Sequence, residues 1–492
     1  MEPPKKYDIV VIGSGAGAEI LQHAVNHGYN VALIDKGPAG GTCLNVGCIP
    51  TKMMTSVADR VQEIRESEKF GINSEIKNID FERIMKETKN AVQPSHEQIK
   101  QSLEASQGFD FYEGEGRFID EKTLEVNTSE GTKEVQGDKI FIASGARPNI
   151  PNISGLNQAN YLTNENVLDL KEMPKSMTII GGGYIAVEFA HFFEAIGTKV
   201  NLVQGSERLV KEEDKEISKL LHDELSKRME IYTNTSIKEI LVDNERDKNI
   251  IKIKSNSGEE KDQVKELESE KILIAAGRKS NADILDAENA GLELDEKGFI
   301  KVDKYLQTNK DHIWAFGDAI GKSMFTHSSR KEASLVWHNA IHGELHNHEN
   351  SHGEHQQKIP VYHDKTPKAI FSYPQIASIG MTQDQAIESL GRDNVLVGKA
   401  HHNEAAKGEA LREDKSFAKI ILKKQDSSII GFHIIGPYAP ILIQEVILAI
   451  EHGGNPNVLL GSTHIHPALS ELIPRTFANL QIPQENPEEK LN

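Results

Sequence analysis

The sequence is poor in cysteine: among its 492 residues only Cys43 and Cys48 occur. A secreted protein held together by disulfides would carry more. A disulfide that closes so short a loop would also add little stability to so long a chain. The pair therefore indicates redox or metal chemistry, with a structural disulfide and a zinc site as alternatives. Zinc normally takes four ligands, and the sequence offers no second cysteine pair, so no metal site is expected.

The sequence also lacks any apolar run of the roughly 20 residues that a membrane-spanning helix needs. Residues 1–7 are polar and lead directly into a predicted strand, which is unlike a signal peptide. These features predict a cytoplasmic protein. The formal net charge of −18 argues against binding to nucleic acid or to an anionic membrane. The length predicts two to four domains.

The N-terminal segment follows the order strand, glycine-rich turn, helix, strand. Residues 7–12 (YDIVVI) are apolar and β-branched, as in a buried parallel strand. The turn at 13–18 (GSGAGA) follows at once, and a helical pattern continues to residue 26. A second apolar strand covers 31–34 and is followed by Asp35. This order predicts a Rossmann βαβ unit, which binds a dinucleotide.

Four residues of this unit are candidate dinucleotide-binding residues. Gly13 permits the tight turn, and Gly15 lets a pyrophosphate approach the backbone at the helix N-terminus. Ala18 is small enough to let the helix pack closely against the strand. Asp35 is placed to accept hydrogen bonds from a ribose 2′-OH.

A second copy of the pattern lies further along the chain. An apolar strand covers 176–180, the turn GGGYIA occupies 181–186, and the next strand covers 199–203. Two such units in one chain predict two bound dinucleotides. The candidate binding residues of the second unit are Gly181, Gly183 and Ala186.

The most specific motif is the segment 40–52 (GGTCLNVGCIPTK), which holds both cysteines. They lie where a helix is predicted to begin, and a helix N-terminus favours a thiolate. The segment resembles the active-site helix of the pyridine nucleotide–disulfide oxidoreductases, and the resemblance extends through nearly the whole chain. It implies an α/β fold with two Rossmann-like domains, which bind FAD and NAD or NADP, and a C-terminal α+β dimerisation domain. It also implies a redox-active disulfide between Cys43 and Cys48.

The resemblance implies roles for the residues around this disulfide. Cys48 is expected to lie against the flavin as the charge-transfer thiolate, and Cys43 is expected to exchange with the substrate. Lys52 follows Cys48 by four residues on the same helical face and is expected near the flavin, paired with Glu188. Tyr184 matches a tyrosine that covers the nicotinamide pocket in glutathione reductase, although simple packing of an aromatic side chain is an alternative.

Three further segments resemble parts of the same family. Residues 140–148 (IFIASGARP) and 272–278 (ILIAAGR) resemble the crossings between the FAD and NAD domains. Residues 313–318 (IWAFGD) resemble the second FAD fingerprint. The site residues expected there are Ser144, Gly145 and Asp318 for FAD and Gly277 for the nicotinamide dinucleotide.

The last motif, residues 463–471 (THIHPALSE), resembles the family's catalytic His-Pro…Glu motif. His466 is expected to be the acid–base residue, and Glu471 is expected to orient it and stabilise its charged form. The resemblance implies a homodimer in which each active site is shared, because His466 reaches the cysteine pair of the other subunit. Upstream, residues 369–380 are predicted to form one strand of an antiparallel sheet.

These segments predict a domain division with an inserted nicotinamide domain. A histidine-rich, polar stretch is expected to be a linker. The predicted parts are 1–147 and 279–342 for FAD, 148–278 for NAD(P), 343–358 for the linker and 359–492 for dimerisation.

The coenzyme and the substrate are left open by the sequence. Gln204 follows the strand at 199–203, at the position where an NAD enzyme usually has an acid. Only Arg208 offers a nearby cation for the 2′-phosphate of NADP. The predicted coenzyme is therefore NAD. The substrate is predicted to be dihydrolipoamide, free or on a lipoyl domain, with the disulfide of a small thiol, as in mycothione or glutathione reductase, as the alternative. A mercuric reductase is disfavoured because the C-terminal cysteine pair of that family is absent. A redox-silent binding subunit is disfavoured by the presence of Cys43, Cys48 and His466.

Overall fold

The computed structural model describes residues 3–105, 108–246, 248–258, 261–342 and 357–484. The linker predicted at 343–358 lies outside these ranges except for its last two residues. None of the helices in the described ranges is both long and apolar enough to cross a membrane.

The strands and helices are numbered in chain order. The strands are β1 (Lys5–Ile12), β2 (Val31–Asp35), β3 (Phe109–Phe118), β4 (Thr123–Thr128), β5 (Gly131–Ile142), β6 (Ala146–Pro148), β7 (Ser176–Ile180), β8 (Lys199–Val203), β9 (Glu230–Tyr232), β10 (Thr235–Asp243), β11 (Lys248–Ser255), β12 (Val264–Ser269), β13 (Lys271–Ile274), β14 (Arg278–Ser280), β15 (Ile313–Ala315), β16 (Lys368–Ile370), β17 (Ile376–Gly380), β18 (Val395–His401), β19 (Phe417–Lys423) and β20 (Ile429–Ile435). The α-helices are α1 (Gly17–Asn26), α2 (Gly41–Asn45), α3 (Cys48–Arg65), α4 (Phe81–Ala105), α5 (Tyr184–Ile196), α6 (Lys215–Leu225), α7 (Thr326–Trp337), α8 (Gln383–Leu390), α9 (Ala406–Ala410), α10 (Ala439–Leu442), α11 (Gln444–Glu451), α12 (Asn457–Leu460) and α13 (Leu472–Arg475).

The first sheet is parallel at its centre, with the strand order β3-β2-β1-β5-β15. β4 pairs antiparallel with both β3 and β5 and completes the sheet. Ile9, Val10 and Val11 of β1 are fully buried, as expected for a central parallel strand covered on both faces. α1 connects β1 to β2, which gives the predicted Rossmann unit.

The second sheet repeats this design with the parallel order β13-β7-β8-β9. α5 connects β7 to β8, and an antiparallel meander of β10, β11 and β12 follows β9. Between the two units, β6 and β14 pair antiparallel, with Ala146 opposite Ser280. The chain therefore leaves the first unit and returns to it through one two-stranded link.

The C-terminal unit is a five-stranded antiparallel sheet in the order β16-β17-β20-β19-β18. Helices α10 and α11 cover one face of it and share its apolar core. Together the three units confirm the predicted α/β fold with a C-terminal α+β part. The single strand expected at 369–380 is wrong, because the chain forms β16, reverses and returns as β17. Pro374 lies in this reversal, and proline cannot donate the hydrogen bond that a continuous strand would need.

A buried charge cluster joins the second unit to the C-terminal sheet. Lys419 of β19 is only 2% exposed, and its Nζ lies 3.0 Å from both carboxylate oxygens of Asp214. It also lies 2.8 Å from Oε1 of Glu216 in α6. Burial opposes ionisation of Asp214, but Lys419 and His433 together lower the pKa of this carboxyl below its ordinary value.

We expect that replacing Lys419 by methionine lowers the thermal unfolding temperature by several degrees. The change leaves the carboxylate of Asp214 buried without a cation, and breaking a buried ion pair in this way costs about 3–5 kcal/mol. Lys423→Met is the matched control, because this lysine of the same strand is 35% exposed and pairs with the exposed Asp426. Equal melting temperatures for the two variants would contradict a stabilising role for the buried pair.

Candidate active site

The two cysteines lie at the beginnings of adjacent helices. Cys43 is in the short helix α2, and Cys48 is the first residue of α3. Both are free thiols in this structure, with Cys43 half-buried and Cys48 exposed. Thr326, the first residue of α7, places its Oγ1 3.4 Å from Sγ of Cys48. The N-terminal ends of α3 and α7 thus meet at the thiol pair.

The two thiols differ in acidity. A hydrogen bond from Cys48 lowers the pKa of Cys43 from 9.0 to about 6, and Thr326 and the positive charge of Arg330 act in the same direction against burial. The same hydrogen bond raises the pKa of Cys48. In this arrangement the pKa of Cys43 is therefore the lower of the two. The charge-transfer thiolate expected at Cys48 requires that Cys43 carry the proton instead, so the role of Cys48 stays a prediction.

Lys52 and Glu188 are brought together beside the cysteines. Nζ of Lys52 lies 2.5 Å from Oε2 of Glu188, which is 7% exposed in α5. The other carboxylate oxygen of Glu188 accepts a hydrogen bond of 3.0 Å from the backbone N–H of Phe371. The Phe371 ring lies 4.3 Å from Nζ of Lys52. The lysine is thus fixed by residues of all three units, since Phe371 follows β16.

Further polar contacts between α3 and α5 extend this pairing along both helices. Nε2 of the fully buried His191 lies 2.9 Å from Oδ1 of Asp59. One turn further on, Gln62 donates a hydrogen bond of 2.9 Å to Glu194. Because these pairs are spaced at helical intervals, they hold α3, and therefore Cys48 and Lys52, in one register against α5.

The two glycine-rich turns have the same geometry. Gly13 has a φ of +99°, and a Cβ there would lie 2.3 Å from the carbonyl oxygen of Ala143. Gly181 has a φ of +123°, and its Cβ would lie 2.1 Å from the carbonyl oxygen of Ala275. Only glycine fits such an approach. Both turns therefore direct the N-terminus of the following helix, α1 or α5, towards the carboxyl edge of its sheet, where a pyrophosphate binds.

One expected role in the first turn is wrong. Ala18 is exposed, so it does not mediate the close packing of α1 on β1. Gly17 does, since a Cβ there would lie 2.9 Å from Cγ1 of Val11. Gly15 is exposed and faces Gly41, whose added Cβ would lie 2.9 Å from the Gly15 Cα. The small residue of the turn that touches the strand is therefore one position earlier than the motif suggested.

The remaining FAD candidates line the same edge. The carboxylate of Asp35 accepts hydrogen bonds from the backbone N–H groups of Ser14 (2.5 Å) and Gly37 (2.7 Å). Burial raises the pKa of Asp318, although Arg278 opposes this shift with its Nε 3.5 Å from the carboxylate. The buried Oγ of Ser144 has no hydrogen-bond partner among the described residues. Since buried polar groups are normally partnered, this hydroxyl and the glycine cradle fit a bound dinucleotide. Gly145, next in the chain, leaves open space at its Cα.

The nicotinamide candidates surround the second turn. Gly183 precedes α5 and Gly277 follows β13, and a Cβ at either would meet open space. Ala186 is fully buried within α5. Burial raises the pKa of Tyr184 to about 12, and its ring packs 5.4 Å from that of Phe325. Within the described ranges, the side chain of Gln204 makes only local hydrogen bonds: it donates to Ser206 Oγ at 2.5 Å and accepts from the N–H of Gly205 at 3.1 Å.

His466 is largely exposed, with 71% of its side chain accessible. Its Nδ1 lies 2.9 Å from Oε1 of Glu471, whose other oxygen accepts a hydrogen bond from the N–H of Ala468. The bond from His466 and then that from Ala468 lower the pKa of Glu471. Among the described residues, no hydrogen bond joins His466 to Cys43 or Cys48.

The sequence did not reveal four residues that the structure places in the site. Thr326 and Arg330 act on the cysteines from α7, and Phe371 holds Glu188 from the C-terminal unit. Glu332 is buried and accepts a hydrogen bond of 2.6 Å from the N–H of Gly317, next to Asp318. The run of polar residues at 326–332 was the available signal, since it follows the Gly-Asp fingerprint directly.

Comparison with known families identifies the class. Residues 7–334 match the family described as pyridine nucleotide-disulphide oxidoreductase, and residues 366–476 match the dimerisation domain of the same family. The chain belongs to the pyridine nucleotide–disulfide oxidoreductases, which are flavoproteins that use FAD and a nicotinamide dinucleotide. Its C-terminal part is the domain through which members of this family form homodimers.

Several members with different names are similar to this chain. Mycothione reductase of Mycobacterium tuberculosis is 31% identical over 96% of this chain and 99% of its own length. Dihydrolipoyl dehydrogenase of Bacillus subtilis is 31% identical over 95% of both chains. Mercuric reductase of Staphylococcus aureus is 31% identical over 91% of this chain and 77% of its own. Among solved structures, the Cu(II) complex of the HOCl-induced flavoprotein disulfide reductase RclA from Escherichia coli has a TM-score of 0.81 and 27% identity, covering 96% of this chain and 99% of that chain.

We expect the reactivity of Cys43 towards iodoacetamide in the reduced protein to rise with a midpoint near pH 6. The thiolate is the nucleophile, and the lowered pKa keeps it present above that pH. In Cys48→Ala the principal hydrogen-bond donor is lost, so the midpoint should move up towards the ordinary thiol value. Cys48→Ser keeps a donor and should shift the midpoint less. Identical midpoints for wild type and Cys48→Ala would refute the assigned cause.

Proposed function

We propose that the protein oxidises dithiols of the dihydrolipoamide type with NAD⁺, through a disulfide that forms reversibly between Cys43 and Cys48. The observation that carries this proposal is the position of the thiol pair. It lies beside the Lys52–Glu188 pair, at the start of helix α3, which packs against α5 of the second dinucleotide unit. Both thiols and both dinucleotide turns are intact, which also supports an enzyme over a redox-silent binding subunit.

In the proposed reaction the disulfide form of the pair accepts two electrons from the substrate. His466 takes a proton from one substrate thiol, and the resulting thiolate attacks Sγ of Cys43. The disulfide bond breaks and Cys48 leaves as a thiolate. The second substrate thiolate then attacks the mixed disulfide, which releases the oxidised substrate and leaves both cysteines reduced.

The other residues prepare the path of the electrons. FAD bound at the first glycine-rich turn would supply the two-electron redox chemistry that links the reduced cysteines to NAD⁺. Lys52 would be the cation beside bound FAD, and Glu188 holds it in position by a hydrogen bond of 2.5 Å. Tyr184 closes the nicotinamide side, where its ring rests on Phe325.

The proposal includes an active site shared between two subunits. Within one chain His466 is solvent-exposed and oriented by Glu471. It can therefore accept a proton at the cysteine pair of a second chain. Large apolar side chains elsewhere in the C-terminal unit are exposed as well, which is typical of a surface that another protein covers. These side chains are Tyr438, Ile441, Leu448, Leu460 and Ile465.

NAD⁺ is the coenzyme we propose, on the basis of Gln204. Its side chain follows β8, where an amide can bond a ribose hydroxyl without repelling a phosphate. We expect Gln204→Glu to strengthen the preference for NAD⁺ over NADP⁺ by about tenfold or more, because a carboxylate there repels the 2′-phosphate. The ratio of kcat/KM values for the two coenzymes measures this. An unchanged ratio would mean that the ribose 2′-position of the coenzyme does not lie near residue 204.

A second candidate function is the reduction of a small thiol disulfide by NADPH. It is favoured by the similarity to mycothione reductase, which covers 99% of that enzyme. The same cysteine pair would then work in reverse, with His466 donating the proton to the departing thiolate. Arg208 would be the nearby cation for the 2′-phosphate of NADPH.

The decisive assay is reduction of NAD⁺ by the purified flavoprotein with dihydrolipoamide as the electron donor. Fast turnover supports the first function, and turnover only with NADPH and a small disulfide supports the second. Cys43→Ser should lose either activity by several orders of magnitude while FAD stays bound, since a hydroxyl cannot form the mixed disulfide. Full turnover by Cys43→Ser would rule out the cysteine mechanism.

A further inference from the structure

Arg330 is an exposed cation beside Cys43 that the proposed reaction does not use. Its side chain is 67% exposed, and its Nε lies 3.5 Å from Oε1 of Glu19 in the first turn of α1. Its two Nη atoms have no hydrogen-bond partner among the described residues. They are the atoms that could still bind an anion, because a guanidinium has five N–H donors.

The position of Arg330 on α7 relates it to the cysteine pair. It follows Thr326 by four residues and so lies on the same face of the helix. Thr326 hydrogen-bonds to the cysteine pair, and Arg330 is close enough to Cys43 to act on its thiol electrostatically. Cys43, not Cys48, is the sulfur that the substrate attacks in the proposed reaction.

The two charged residues that follow Arg330 are committed elsewhere. Lys331 pairs with Glu451 at 2.7 Å, and the buried Glu332 accepts hydrogen bonds from Gly317 and Ser328. Arg330 has only the longer contact with Glu19, and an exposed pair of this kind contributes little to stability. An incoming anion can therefore replace Glu19, or share the guanidinium with it, at little cost.

We propose that Arg330 selects substrates that carry a carboxylate near the reacting thiol or disulfide, while Glu19 holds the guanidinium in place until that carboxylate arrives. Arginine suits this role because its planar fork matches a carboxylate with two parallel hydrogen bonds. The inference rests on the proposed function, in which Cys43 exchanges with the substrate. Among the dithiols and disulfides that the proposed function allows, it favours those that carry a carboxylate.

The first test needs no knowledge of the substrate. The holoenzyme is reduced with dithiothreitol, desalted and treated with iodoacetate or iodoacetamide, and alkylation of Cys43 is followed by peptide mass spectrometry. Both reagents form the same S–C bond and release iodide, but only iodoacetate is an anion. The ratio of the two rates therefore reports the local charge and is insensitive to the fraction of thiolate.

We expect Arg330→Met to lower the iodoacetate-to-iodoacetamide ratio by about threefold to tenfold, as the loss of one positive charge near the sulfur predicts. Glu19→Gln should raise the ratio, because it removes a competing carboxylate. Lys331→Gln is the control and should leave the ratio unchanged, since it removes an equal charge that is paired elsewhere. Ratios that are the same in wild type, Arg330→Met and Glu19→Gln would overturn the proposal, as would loss of FAD from Arg330→Met.

The second test compares dihydrolipoate with dihydrolipoamide, which share the dithiol and differ in charge. Arg330→Met should reduce kcat/KM for the acid by about tenfold relative to the amide, mainly through KM, and Arg330→Lys should retain part of the preference. Equal losses for both substrates would mean a structural role and would overturn the proposal. If wild type oxidises neither dithiol and reduces no small disulfide, the proposed function fails, while the alkylation ratio still decides the role of Arg330.

Discussion

The ion pair between Lys52 and Glu188 is the contact on which the arrangement of the site depends. Lys52 belongs to the cysteine helix α3, Glu188 belongs to the first helix of the second dinucleotide unit, and the backbone of Phe371 fixes Glu188 from the C-terminal unit. One contact therefore sets the position of three parts of the chain. It also compensates the charge of Glu188, a carboxylate that is only 7% exposed.

Much of the fold follows from local sequence. The parallel strands β1 and β7 are continuous apolar runs, and each is followed by a glycine for which no other residue could substitute. Cys48 and Lys52 could be placed on one face of a helix because they are four residues apart, whereas Cys43 lies in the separate short helix α2. The pairing of Lys52 with Glu188 could be expected from the family resemblance. These features depend on neighbours in the chain or on a motif long enough to be specific.

The features that sequence did not reveal depend on contacts between distant segments. Thr326 and Arg330 have no motif of their own, and their importance comes only from the direction in which α7 approaches the thiols. The reversal between β16 and β17 was missed because the apolar pattern continues through it, although Pro374 gave a signal. Ala18 was assigned the packing role of Gly17, since a motif fixes the order of small residues but not which of them touches the strand.

Lys419 has a consequence for how far the parts of this protein can be exchanged. The second dinucleotide unit is an insertion in the sequence, which suggests that it could be removed or replaced by the corresponding unit of a relative. Yet its Asp214 and Glu216 neutralise a lysine buried in the C-terminal sheet, so a foreign unit without these acids would leave an unpaired charge in the protein interior. Recombination at the two-stranded link would therefore succeed only when β19 is inherited together with the inserted unit. The chain is modular in its sequence order but not in its electrostatics.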